Sequence, residues 1–257
     1  MRTMAVRTAE PRVREQSYVQ VAASIPPIWR EPFAVLEWAS LRVSPVYYGH
    51  GVPRGDGGPV VVVPGFLCSD AIMAEMHAWL GRIGYRPYLS GVGVNATCPA
   101  VTSRKLMQTV RRASEETGRR VRIVGHSLGG MLGRRVAMQR PELVSQLVYL
   151  GTPIQAVHAH PAIVAAADIL GEARSIVKGQ RCLAGCGCNV ANDAGATMPA
   201  GVDHAAIYTR SDGVLDWRDA RETDPERNFE VRGTHLGLVC NQQAFRVLGS
   251  LLARGVA

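Results

Sequence analysis

The chain has 257 residues, 47% hydrophobic and 19% charged, enough apolar material for one sizeable core and unlike a disordered or collagenous polypeptide. No run approaches the roughly 18 uninterrupted apolar residues of a membrane span. The formal net charge of +8 comes from scattered arginines with no accompanying nucleic-acid motif, so it reads as solvated helix faces rather than a nucleic-acid footprint.

The chain opens MRTMAVRTAEPRVREQ, basic and without the apolar run of a secretory signal. A flexible basic tail and a cytoplasmic location are expected, and weak association with a membrane surface is compatible with the charge. Residues 31–43 have helical spacing, with Phe33, Leu36 and Leu41 apolar. Residues 1–58 form an N-terminal extension with this short helix, and residues 59–257 form the main domain. After a glycine-rich loop at 55–58 come four valines, 60–63, the pattern of a central parallel strand buried on both faces.

Ser69 is suited to cap a helix over 70–83, where apolar residues recur at intervals of three and four. A short strand over 85–89, a turn at Gly91 and Gly93, and a helix over 102–117 closed by Gly118 follow. The rhythm continues with a strand at 121–124, a helix at 128–139 stopped before Pro141, and a strand at 147–150. Residues 154–203 break it and read as an irregular insertion over the sheet, in the position of a cap or lid. Strands at 205–209 and 229–232 and a helix over 242–253 complete the chain. Alternating strands and helices predict an α/β fold: a mainly parallel central sheet with helices on both faces.

Three of the six cysteines, Cys182, Cys186 and Cys188, crowd together. Their C-x3-C-x-C spacing lacks the paired C-x2-C of common zinc sites, so no metal is expected. A local disulfide and free thiols both remain open.

The chemistry concentrates at Gly125-His126-Ser127-Leu128-Gly129, a G-x-S-x-G pentapeptide between a valine-rich strand and an amphipathic helix. A tight strand-to-helix turn there would project the Ser127 hydroxyl from the sheet edge, beside the positive end of a helix dipole. A serine nucleophile needs a base. Of seven histidines, His235 follows the last expected strand and lies on the carboxyl edge of the sheet, where Ser127 also lies. His126 adjoins the nucleophile and is expected to point away from it and pack. The acid that orients the base should end the preceding strand. Asp212, beside Gly213, is favoured over Asp216, whose other role would be capping the next segment.

The order Ser127, Asp212, His235 resembles that of lipase- and esterase-like members of the α/β-hydrolase superfamily. The resemblance rests on Pro64-Gly65-Phe66, Gly125 to Gly130, Gly151-Thr152-Pro153, Ser211-Asp212-Gly213 and Thr234-His235-Leu236-Gly237, spread over residues 60–254. It implies an oxyanion hole formed by the backbone amides of Phe66 and Leu128, with Leu67 as the alternative to Phe66. One departure is Pro64-Gly65 where many relatives have His-Gly, so this loop needs a different support. The implied activity is hydrolysis of carboxylic esters through an acyl-enzyme on Ser127, without metal or organic cofactor. The substrate would be a small-molecule or lipid-like ester. Acyltransferase or thioesterase action by the same triad is the nearest alternative, and a membrane- or partner-binding module with secondary catalysis is a third.

Overall fold

Beta-branched runs and amphipathic segments assemble into a six-stranded parallel sheet between two helical layers, with a separate two-stranded sheet beside it. The computed structural model describes residues 20–178 and 190–254. The cysteines 182, 186 and 188 and the basic tail therefore lie outside the described residues. The strands are β1 (Gln20–Val21), β2 (Pro59–Val63), β3 (Arg86–Leu89), β4 (Val121–His126), β5 (Val144–Leu150), β6 (His158–Ala159), β7 (Asp203–Tyr208) and β8 (Asn228–Glu230). The helices are α1 (Ala34–Val43), α2 (Ala74–Arg82), α3 (Pro99–Thr117), α4 (Leu128–Gln139), α5 (Pro161–Lys178) and α6 (Gln242–Arg254).

Six strands form the main sheet in the order β3-β2-β4-β5-β7-β8, every neighbouring pair parallel. Parallel neighbours require crossovers, and α2, α3 and α4 supply them between successive early strands. Strand periodicity divides the valines of β2 between two cores. Val60 and Val62 pack with Trp79 of α2 and Phe245 of α6, while Val61 and Val63 pack with Leu106 of α3 and Leu132 of α4. All four valines are fully buried, which stabilises the fold by about 1.5–3 kcal/mol per side chain. Because the strands are parallel, the segments that follow β4, β7 and β8 all leave the sheet at its carboxyl edge.

Several elements depart from expectation. The segment after Ser69 begins as a 3-10 turn, Asp70–Met73, before α2, with the Ser69 hydroxyl accepting from the Ala71 amide. Helix α3 starts earlier, because Pro99 at its first position needs no hydrogen-bond acceptor. Residues 161–178, expected to be irregular, form helix α5, consistent with their alanine content.

The expected helix at 31–43 is a 3-10 turn, Ile28–Phe33, leading into α1. It is turned opposite to a usual amphipathic helix. Phe33 and Leu36 are exposed and Leu41 is buried, while Glu31, also buried, points inward. This segment packs against the turn Leu236–Cys240.

Candidate active site

Strand β4 runs into α4 through Ser127, whose backbone has φ 52° and ψ −124°. A non-glycine residue held there stores about 1–3 kcal/mol of strain. Two close approaches keep the turn sharp: a Cβ on Gly125 would meet the Gly130 backbone, and one on Gly129 would meet the Val63 carbonyl. The Ser127 amide donates to the Leu150 carbonyl at 2.9 Å, tying the elbow to β5. Ser127 is nearly buried, at 8% exposure, and makes no side-chain hydrogen bond among the described residues.

Asp212 and His235 come together from the loops after β7 and β8. His235 Nδ1 donates to Asp212 Oδ2 at 2.6 Å, with both side chains buried. The second oxygen, Asp212 Oδ1, accepts from the Val214 and Leu215 amides at 2.8 and 2.7 Å. The carboxylate is thus fully engaged and fixes the imidazole tautomer with Nε2 as the remaining nitrogen. Asp216 does not reach His235. It accepts from the Arg218 amide at 3.0 Å and pairs with the Arg218 guanidinium.

Ser127 and His235 line the same cavity, about 260 Å³ in volume. Its walls are mainly apolar, including Phe66, Leu67, Leu128, Met131, Val214 and Leu236. Val157, Ala159, Ile163, Ala167 and Val190, all within 154–203, also contribute. The segment expected to lie over the sheet therefore supplies part of the cavity wall.

The expected oxyanion donors differ in availability. Neither the Phe66 amide nor the Leu128 amide, at the first position of α4, makes a hydrogen bond among the described residues. Leu67 is not an alternative, because its amide donates to the Asn95 carbonyl at 3.0 Å. Leu67 also holds a positive φ of 61°, part of the tight turn of this loop. A Cβ on Gly65 would stand 3.1 Å from Ser127 Cβ and 2.9 Å from His126 Nδ1, so the loop lies directly against the elbow.

The support anticipated for Pro64-Gly65 is Asn95. Its side-chain amide donates to the Pro64 carbonyl at 2.9 Å, and its backbone amide donates to the Cys68 carbonyl at 2.8 Å. Asn95 is 1% exposed and lines the cavity. Sequence reasoning missed it, because it lies in a turn that carries no motif.

His126 corrects one expectation. It does not point away from the site: it lines the cavity, its ring lies 4.7 Å from that of His235, and its Nε2 contacts the His235 carbonyl at 3.0 Å. Complete burial, reinforced by the neighbouring His235, lowers its pKa to about 3, so it is neutral. His235 goes the other way. Burial opposes its charged form, but the charge and hydrogen bond of Asp212, helped by the charge of Glu31, outweigh burial and raise its proton affinity.

Sequence reasoning also missed Glu31 and Glu37. Glu31 accepts from the amides of Gly213, His235 and Leu236 at 2.8, 3.1 and 2.7 Å. Glu37 accepts from the Thr234 amide and hydroxyl at 2.7 and 2.8 Å and from the Asn241 side chain at 2.6 Å. No local pattern could reveal these contacts, which join residues about 200 positions apart in sequence. Among the described residues, no group of three or more His, Cys, Asp or Glu side chains is arranged to hold a metal ion.

Comparison with known proteins agrees with this architecture. A family model described as lipase (class 2) matches residues 89–198, which include the elbow. A search of curated proteins finds no match. The mature form of the Bacillus licheniformis lipase BlEst2 superposes with a TM-score of 0.55 at 17% identity, over 79% of this chain and 94% of that one. A soluble variant of monoglyceride lipase from Saccharomyces cerevisiae, in complex with a substrate analog, gives 0.54 at 14% identity, over 80% and 91%. Tomato methylketone synthase I complexed with 2-tridecanone gives 0.57 at 15% identity, over 78% and 99%. The chain has the α/β-hydrolase fold, and residues 89–198 are similar to the class 2 lipases.

Proposed function

We propose that the protein is a serine hydrolase that cleaves carboxylic esters through an acyl-enzyme on Ser127. The observation that carries this reading is the opening of a strained serine elbow into the same apolar cavity as His235, which is hydrogen-bonded to Asp212. His235 Nε2 takes the Ser127 proton as Oγ attacks the ester carbonyl. Asp212 holds the imidazole and stabilises the imidazolium. The Phe66 and Leu128 amides receive the developing oxyanion, each worth about 3 kcal/mol of transition-state stabilisation.

The tetrahedral intermediate collapses, the carbonyl–alkoxy bond breaks, and His235 returns the proton to the leaving alcohol. Water then attacks the acyl-enzyme with His235 again as base, releasing the acid and restoring Ser127. The apolar walls suit a hydrocarbon acyl chain, which Val157, Ile163 and Val190 would help to enclose. A p-nitrophenyl ester series of increasing chain length, applied to wild type and Ser127→Ala, tests the reading. Turnover is expected to fall in the variant by at least about a thousandfold. Unchanged turnover would refute it.

A further inference from the structure

Glu31 is a buried carboxylate that touches no basic side chain among the described residues. Its hydrogen-bond donors are three backbone amides on two separate loops. Oε1 bridges the amides of Gly213 and His235, and Oε2 takes that of Leu236. Gly213 follows Asp212 directly, and a Cβ there would stand 2.6 Å from Glu31 Oε1 and 3.0 Å from Ile28 Cα. The carboxylate is therefore wedged where the acid loop meets the base loop. An isolated charge is costly to bury, and three converging N–H donors offset that cost only while both loops hold their present positions.

We infer that Glu31 is a positioning residue for His235, its carboxylate fixing the loops that carry Asp212 and His235 against each other. The inference rests on the triad reading above. Both loops are also tied elsewhere: Thr209 Oγ1 donates to the Gly233 carbonyl at 2.7 Å, and Glu37 grips Thr234. Among the described residues, Glu31 alone accepts from both the Gly213 and the His235 amide. It also brings a second negative charge to the imidazole. Among the described residues, the ionisable groups around His235 are Asp212, Glu31, the neutral His126 and, one residue removed, Glu37 at Thr234.

Glu31 favours protonated His235, so removing its charge lowers the pKa of the base. The base must be neutral to act, so the acid limb of the kcat/KM profile should move to lower pH.

The test compares wild type, Glu31→Gln, Glu31→Asp and Glu37→Gln as full chains. The measurements are ester kcat and KM against pH, thermal midpoint, and an ¹⁵N-histidine NMR titration of His235. For Glu31→Gln we expect kcat to fall about tenfold to a hundredfold with KM nearly unchanged. The acid limb and the His235 titration should both move to lower pH. Glu31→Asp keeps the charge on a shorter arm, so it should lose rate while holding the limb. In Glu37→Gln the limb should also stay. A lower thermal midpoint in Glu31→Gln with wild-type kcat and titration would overturn the inference and leave Glu31 a merely structural residue. Should Glu31→Gln not fold, a wild-type kcat in Glu31→Asp would overturn it. The NMR titration needs no substrate, so it decides the role of Glu31 even if the wild type turns over no ester.

Discussion

At the residue scale, function concentrates where ordinary side-chain rules are broken. Ser127 keeps a positive φ although it is not glycine, and His235 shares a buried hydrogen bond with Asp212. The two aspartates considered for the acid occupy different surroundings. Asp212 spends one oxygen on His235 and the other on two backbone amides, whereas Asp216 caps the turn before Arg218. Asp212→Asn would present an amide to Nδ1 and favour the wrong tautomer. Its kcat is expected to fall about ten-thousandfold, whereas Asp216→Asn should keep most of its rate. Steady-state ester hydrolysis by the two variants checks this, and the reverse order would move the acid to Asp216. Ser127, Asp212 and His235, the residues proposed as nucleophile, acid and base, stand out in the sequence because each lies near a glycine turn at a strand end. The orientation of His126 could not, because it depends on the His235 carbonyl more than a hundred residues away.

At the element scale, short linkers and first helices matter more than their sequences suggest. The hydrophobic spacing of 31–43 reads as an ordinary amphipathic helix, yet Glu31 turns inward and Trp29, Phe33 and Leu36 remain exposed. The reason is that Glu31 and Glu37 satisfy backbone and side-chain donors around His235, contacts formed only by tertiary packing. The parallel strands were legible for the opposite reason, since valine runs between turn residues encode local structure directly. The loop proposed to donate to the oxyanion shows the same division. Its Pro64-Gly65-Phe66 stretch stands out in sequence, but its support comes from Asn95 on a separate turn. Asn95→Ala removes the hydrogen bond to the Pro64 carbonyl and loosens the Phe66 amide. A fall in kcat of about tenfold to a hundredfold is expected, with KM changing less. Steady-state kinetics on a short ester would check it.

At the scale of the whole molecule, two hydrophobic cores clamp the sheet and leave its carboxyl edge free for chemistry. The first core holds Trp79 and Phe245 against Val60 and Val62, and the second holds Leu106 and Leu132 against Val61 and Val63. Strands β4, β7 and β8 end at one edge, so Ser127, Asp212 and His235 converge although they span 109 positions of sequence. Among the described residues no helix is long and apolar enough to cross a membrane. A nucleophilic Ser127 would displace fluoride from an alkyl fluorophosphonate, and mass spectrometry of the treated protein reads the resulting adduct. One phosphonyl group per chain, on Ser127 and absent from Ser127→Ala, is the result expected. Equal labelling of wild type and Ser127→Ala, or no adduct on Ser127, would mean that Ser127 is not the nucleophile.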